Sequence, residues 1–135
     1  MKRILVVDDQ SLIRWMIRLA LRDNFAVDEA ESAQAAWAKI KKQRPDGIVL
    51  DVLMPGSMDG FQFCERVKRD PDLAAIDVVL VTACGEENDR ERGRAAGANG
   101  YFVKPLSPIA LANHFLASLD VGSRQASDAS QRKPI

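Results

Sequence analysis

Five short apolar runs, each followed by a segment long enough for a helix, constrain this chain more than any other feature. They are Ile4 to Val7, a weaker one around Phe25 to Val27, Ile48 to Leu50, Val78 to Val81, and Tyr101 to Val103. Runs of mostly β-branched residues without polar alternation suit strands covered on both faces, as in a parallel sheet flanked by helices. Five alternating strand and helix units with short connections predict an α/β domain, and right-handed crossovers make a doubly wound sheet the natural architecture.

The helices carry their own signals. Ser11 is placed to cap a first helix whose broad apolar face includes Leu12, Ile13, Trp15, Met16, Ile17 and Leu19, with Arg14, Arg18 and Arg22 on the wet side and Trp15 as a packing residue. Ser32 opens a second helix that ends before Pro45, and a third runs from about Phe61 to Arg69, stopped by Asp70-Pro71. The fourth, Glu86 to Ala96, has no Leu, Ile, Val, Phe or Met and contains Gly93, which costs about 1 kcal/mol relative to Ala. It is expected to be the least firmly anchored. The fifth follows Pro108 and carries His114, the one histidine, with no carboxylate or thiol motif beside it in sequence; a surface or interhelical role suits it best.

Composition excludes several classes. A chain of 135 residues, 47% hydrophobic, can bury a core without disulfides or structural metal. Its 19 basic and 19 acidic residues are scattered rather than striped, which argues against a dedicated nucleic-acid surface. Cys64 and Cys84 make neither a disulfide framework nor a zinc site. No stretch approaches the roughly 20 apolar residues needed to cross a bilayer, and Met1-Lys2-Arg3-Ile4 lacks a signal-cleavage pattern, so a cytoplasmic location and no membrane partner are expected. One domain is expected over residues 1–120. Residues 121–135, rich in Gly, Ser, Gln, Asp and Lys, are expected to form a disordered tail or linker.

In an open parallel sheet, ligands bind beyond the carboxyl ends of the strands. That edge should receive Asp8-Asp9 from the first strand, Asp51 from the third, Thr82 from the fourth and Lys104-Pro105 from the fifth. Any one of these is commonplace at a strand end; their coincidence on one edge is not. Three converging carboxylates repel one another and call for a cation, and an all-oxygen donor set without His or thiolate favours Mg²⁺ over zinc. Lys104 adds a fixed positive charge, so the site could hold a phosphoryl group, with Asp51 as nucleophile and Thr82 donating a hydrogen bond.

The motifs Ile4-Leu5-Val6-Val7-Asp8-Asp9, Pro45 to Pro55 around Asp51, Val81-Thr82-Ala83, and Ala96 to Pro105 resemble those of the receiver domain of bacterial two-component response regulators, the stand-alone chemotaxis type included. The resemblance covers residues 1 to about 120. It implies a flavodoxin-like five-stranded parallel sheet in the order 2-1-3-4-5 with five helices. It also implies Asp51 as phosphoacceptor, and Mg²⁺ bound by Asp9 directly, by Asp8 through water, by Asp51 and by the backbone carbonyl of Leu53. Thr82 and Lys104 would contact the phosphoryl oxygens, Ala83 would leave room for them, and Tyr101 would be a rotamer switch coupled to Thr82. A cis Lys104-Pro105 bond is expected. The implied role is phosphorelay signalling without metabolite turnover: a histidine kinase or histidine phosphotransfer protein as donor, and a downstream effector protein contacted through helix 4, strand 5 and helix 5. With no DNA-binding motif following, output by protein contact is expected rather than direct nucleic-acid binding, unless the chain is a fragment of a longer regulator.

The chain departs from the common pattern where both Gly56 and Ser57 separate Pro55 from Met58, and where Leu53 and Cys84 stand at positions often polar or acidic. The latter suggests an acyl phosphate not optimised for rapid self-hydrolysis. Competing readings fit less well. A haloacid-dehalogenase-type phosphohydrolase would need an Asp where Leu53 stands, a flavodoxin-like FMN carrier would need a phosphate loop where Asp8-Asp9-Gln10 stands, and a phosphate-independent module would not need Asp9, Asp51, Thr82 and Lys104 together.

Overall fold

The computed structural model describes residues 1–54, 56, 58–83 and 87–119. Strands β1 (Arg3–Val7), β2 (Ala26–Ala30), β3 (Gly47–Asp51), β4 (Asp77–Thr82) and β5 (Gly100–Val103) form one sheet in the order β2-β1-β3-β4-β5. Every pairing is parallel. Helices α1 (Ser11–Leu21), α2 (Ala33–Lys42), α3 (Gly60–Arg69), α4 (Glu87–Ala95) and α5 (Pro108–Ser118) fill the crossovers.

The apolar runs divide by parity, since successive side chains of a strand point to opposite faces. Ile4, Val6, Val49, Val79 and Val81 meet Ile17 and Leu21 of α1 and Leu111 and Phe115 of α5. Leu5, Val7, Ile48, Leu50, Val78 and Leu80 meet Ala36 and Ile40 of α2 and Phe61, Phe63, Cys64 and Val67 of α3. The three inner strands are therefore buried on both faces, which is why their sequences show no polar alternation. Phe115, fully buried and edge-on to Phe25 at 6.2 Å, is among the largest contributors; its truncation to Ala would cost about 3–5 kcal/mol.

Several local expectations are corrected. β2 begins at Ala26 and continues through Asp28 and Glu29, because an edge strand can carry polar residues outward; Phe25 lies before it and buries its ring in the core. Ser11 is the first helical residue of α1 rather than its cap: Asp8 Oδ1 accepts the Gln10 N–H at 2.9 Å, turning the chain one residue earlier. The apolar face of α1 is wider than the sheet can cover, so Leu12, Trp15, Met16 and Leu19 are exposed and Trp15 is not a packing residue. The arginines of α1 are not all on a wet side either, since Arg14 and Arg18 both grip Glu29.

Of the other caps, Ser32 is the one expected from the sequence. Ser32 accepts from Ala35 N, and Ser107 accepts from Ala110 N ahead of Pro108. Asp59 and Gln62 form a reciprocal capping box that starts α3 at Gly60. In α4 only Gly93 is buried. That helix is fastened by Arg92 over the Phe61 ring at 4.2 Å and Arg90 over Tyr101 at 5.2 Å. His114 reaches a carboxylate that local sequence could not show: its Nε2 lies 2.9 and 3.1 Å from the two oxygens of buried Asp77, at the opposite end of the sheet from the strand-end aspartates. Among the described residues no helix is long and apolar enough to cross a membrane. Expectations for Ser57, Cys84 and the tail from residue 121 lie outside the described residues.

Candidate functional site

β1 and β3 are neighbours in register, so the residues that follow or end them share one edge. Asp8 and Asp51 are both buried there, Asp9 is exposed, and the three carboxylates each offer an oxygen within 4.8 Å of the others. Lys104, carried by the chain leaving β5, brings Nζ to 3.7 Å from Asp51 Oδ1 and 3.8 Å from Asp8 Oδ2. The Lys104–Pro105 peptide bond is cis. Thr82, the last residue of β4, is buried, and its carbonyl accepts from Lys104 N at 2.8 Å, tying the two loops together. Ala83, next along, is exposed beside it.

The crowding has an electrostatic signature. Burial pushes the Asp51 carboxyl up to about 6, and the charge of Asp8 adds to this; Lys104 and the Leu53 N–H, which donates to Asp51 Oδ1 at 3.3 Å, pull the other way. Burial likewise raises Asp8, against the Gln10 N–H and Lys104. Lys104, with Arg14 also acting on Asp8, therefore does not offset three carboxylates, and further positive charge would be bound favourably.

Two glycines shape the surroundings. A Cβ on Gly60 would stand 2.7 Å from both the Asp51 carbonyl oxygen and Val52 Cα, so the start of α3 can lie against the Asp51 backbone only without a side chain. A Cβ on Gly93 would stand 3.0 Å from the half-buried Tyr101 ring, so α4 offers that ring a seat. The structure thus brings Asp8, Asp9, Asp51 and Lys104 together, with Thr82 at the same edge and Leu53, a residue 64% exposed, alongside. Tyr101, a residue of β5, packs its ring against Gly93 and Arg90 of α4. Sequence reasoning missed Gly60, whose closeness to β3 exists only once α3 has packed, and Arg14, whose Nη1 donates to the Asp8 carbonyl at 2.7 Å.

The family model for the response regulator receiver domain matches residues 4–116. The chain belongs to the response regulator receiver domain family. Receiver domains of this family act in phosphorelay signalling through phosphorylation of an aspartate. Among curated proteins, the transcriptional regulatory protein ResD of Bacillus subtilis is 43% identical over 107 residues, covering 78% of this chain and 43% of that protein. The phosphate regulon transcriptional regulatory protein PhoB of Escherichia coli is 44% identical over 108 residues, covering 79% of this chain and 47% of its own length. The chain thus spans about half the length of these relatives. Among solved structures, the chemotaxis protein CheY4 of Vibrio cholerae superposes with a TM-score of 0.80 at 33% identity, over 87% of this chain and 98% of that one.

Proposed function

We propose that residues 1 to about 120 are a receiver phosphorylated on Asp51 by the phosphohistidine of a sensor histidine kinase or phosphotransfer protein. The observation that carries this is the meeting of three carboxylates with the Lys104 ammonium at the carboxyl edge of the sheet. An Asp51 carboxylate oxygen attacks phosphorus, the P–N bond to the donor imidazole breaks, and the imidazole leaves as the neutral ring after taking a proton. Lys104 lies where it would compensate charge on the phosphoryl oxygens, and Thr82 where its hydroxyl could donate to one of them.

The donor set suits a hard divalent cation. Asp8, Asp9, Asp51 and the Leu53 carbonyl would hold Mg²⁺, with Asp8 acting through water. When bound, Mg²⁺ would neutralise the carboxylates and the incoming phosphoryl charge. Exposed Leu53 offers no polar group to orient a hydrolytic water, which supports a slowly decaying acyl phosphate.

Phosphorylation would draw Thr82 toward the new oxygens and let the Tyr101 ring move into the space released, shifting the surface of α4, β5 and α5 toward a packing that an effector protein binds. This is a population shift between two packings, biased by contacts only the phosphorylated state makes. Incubating the protein with Mg²⁺ and acetyl phosphate and weighing it intact tests the reading. One phosphoryl adduct, absent in Asp51→Asn, is expected; an adduct that persists in that variant, or none with any donor, would overturn it.

A further inference from the structure

Two arginines of α1 share one carboxylate, and only one of them goes on to the site. Arg14 and Arg18 donate through Nε to Glu29 of β2, at 2.9 and 2.7 Å. Against burial, which would raise it, these bonds hold the Glu29 carboxyl below its usual range. Arg14 alone extends Nη1 to the backbone carbonyl of Asp8, at 2.7 Å, and its side chain is 17% exposed where that of Arg18 is 39%. A planar guanidinium can satisfy a carboxylate through one N–H and a carbonyl through another in a fixed geometry, which a lysine ammonium on a flexible stem cannot reproduce.

The Asp8 backbone is thereby held from two sides. Its N–H donates to Ala30 O of β2 at 3.1 Å, and its carbonyl is held by Arg14, while its side chain accepts from Gln10 N. That carbonyl begins the peptide leading to Asp9. Among the described residues no hydrogen bond reaches the Asp9 carboxylate, so the setting of this peptide is what aims it.

We propose that Arg14 is a positioning residue of the phosphoryl-transfer site: tethered by Glu29, it fixes the Asp8–Asp9 peptide so that both carboxylates meet Asp51. This rests on the reading of Asp8, Asp9 and Asp51 as divalent-cation ligands. It differs in sign from a role of charge alone. A cationic guanidinium near a cation site opposes binding by Coulomb repulsion, so if charge were its only effect, removing it would tighten Mg²⁺. If it positions the ligands, removing it loosens Mg²⁺, and the loss of such an outer partner typically costs about 10–100-fold in metal affinity.

The experiment titrates Mg²⁺ alone into the full chain by calorimetry, for the wild type, Arg14→Met, Arg14→Lys and Arg18→Met, with melting temperatures recorded alongside. Arg14→Met is expected to bind Mg²⁺ about tenfold or more weakly. Arg14→Lys keeps the charge, loses the fork, and should also bind more weakly. Arg18→Met breaks the same packing against Glu29 without touching Asp8, and should bind as the wild type does. In acetyl phosphate reactions the half-saturating Mg²⁺ concentration should rise in the Arg14 variants while the plateau rate at saturating Mg²⁺ is regained, a separation that general destabilisation would not give. Equal or tighter Mg²⁺ binding in Arg14→Met, or an equal loss in Arg18→Met, overturns the positioning role and leaves the reading of the site standing. If Arg14→Met does not fold, undiminished binding by Arg14→Lys overturns it. No Mg²⁺ binding by the wild type would instead overturn the ligand reading, and this role with it.

Discussion

Replacing Asp51 with Asn should stabilise the unphosphorylated protein, although it removes the proposed phosphoacceptor. Asp51 is 5% exposed and its carboxyl is pushed up to about 6, principally by burial and then by the charge of Asp8. An unfolded chain returns it to the ordinary range near 4, so between those values the folded state holds the proton more tightly. Stability from this group is therefore fully present below about pH 4 and is lost as pH rises through about 6. A shift of about two units at roughly 1.4 kcal/mol each corresponds to about 3 kcal/mol of destabilisation at pH 7 and above. Asn keeps the shape and an oxygen for the Leu53 N–H, and the opposing attraction of Lys104 is already contained in that shift, so a net gain of about 1–3 kcal/mol is expected. At about 4 °C per kcal/mol for a domain of this size, the melting temperature should rise by roughly 4–12 °C at pH 7.5 in the presence of a chelator. The assay is urea unfolding of both proteins from pH 4.5 to 8. The difference should shrink toward zero at the acid end, and Mg²⁺ should narrow it at pH 7.5 by stabilising the wild type. An Asp51→Asn protein no more stable than wild type at pH 7.5 without divalent cations would refute the idea that ionised Asp51 is held in the fold at a cost, from burial first and the charge of Asp8 second.

Gly60→Ala, which drives a Cβ against the Asp51 and Val52 backbone, should cost about 1–3 kcal/mol in urea unfolding despite the better helix former; no loss would contradict the close approach. His114→Leu leaves buried Asp77 without its imidazole and should cost about 1–3 kcal/mol by the same measurement, with unchanged stability counting against the pair as a structural tie. Amide exchange in α4, where Gly93 alone is buried, should be faster than in α1, and equal protection would show that the cation–π contacts of Arg90 and Arg92 anchor it fully. The acyl phosphate of the wild type should decay more slowly than that of Leu53→Asn; decay at the same rate would show that exposed Leu53 does not control access of water.

The sheet and the strand-end residues were legible because each depends on local pattern. Uninterrupted apolar runs announce strands buried on both faces, and the rule for parallel sheets then sends Asp8, Asp51, Thr82 and Lys104 to one edge without any knowledge of distances. What stayed hidden depends on encounters between distant segments. Trp15 reads as core because its helix is apolar over a wide arc, and only the assembled sheet shows how little of that arc is covered. The partner of His114 stands 37 positions earlier in the chain. Arg14 looks like a solvent-facing charge until Glu29 and the Asp8 carbonyl are seen on either side of it. The apolar run around Phe25 to Val27 marks β2 only in part, because Phe25 precedes the strand as a core residue and an edge strand can continue through the polar Asp28 and Glu29.

Because the site draws its carboxylates from the ends of β1 and β3 and its ammonium from the end of β5, no stretch of chain shorter than Asp8 to Lys104 contains it. During synthesis the acidic residues emerge first, and Lys104 follows only when nearly the whole domain has left the ribosome. On the proposed reading of the site, competence to accept a phosphoryl group would be a late event in the life of the polypeptide, reporting that the last strand has docked.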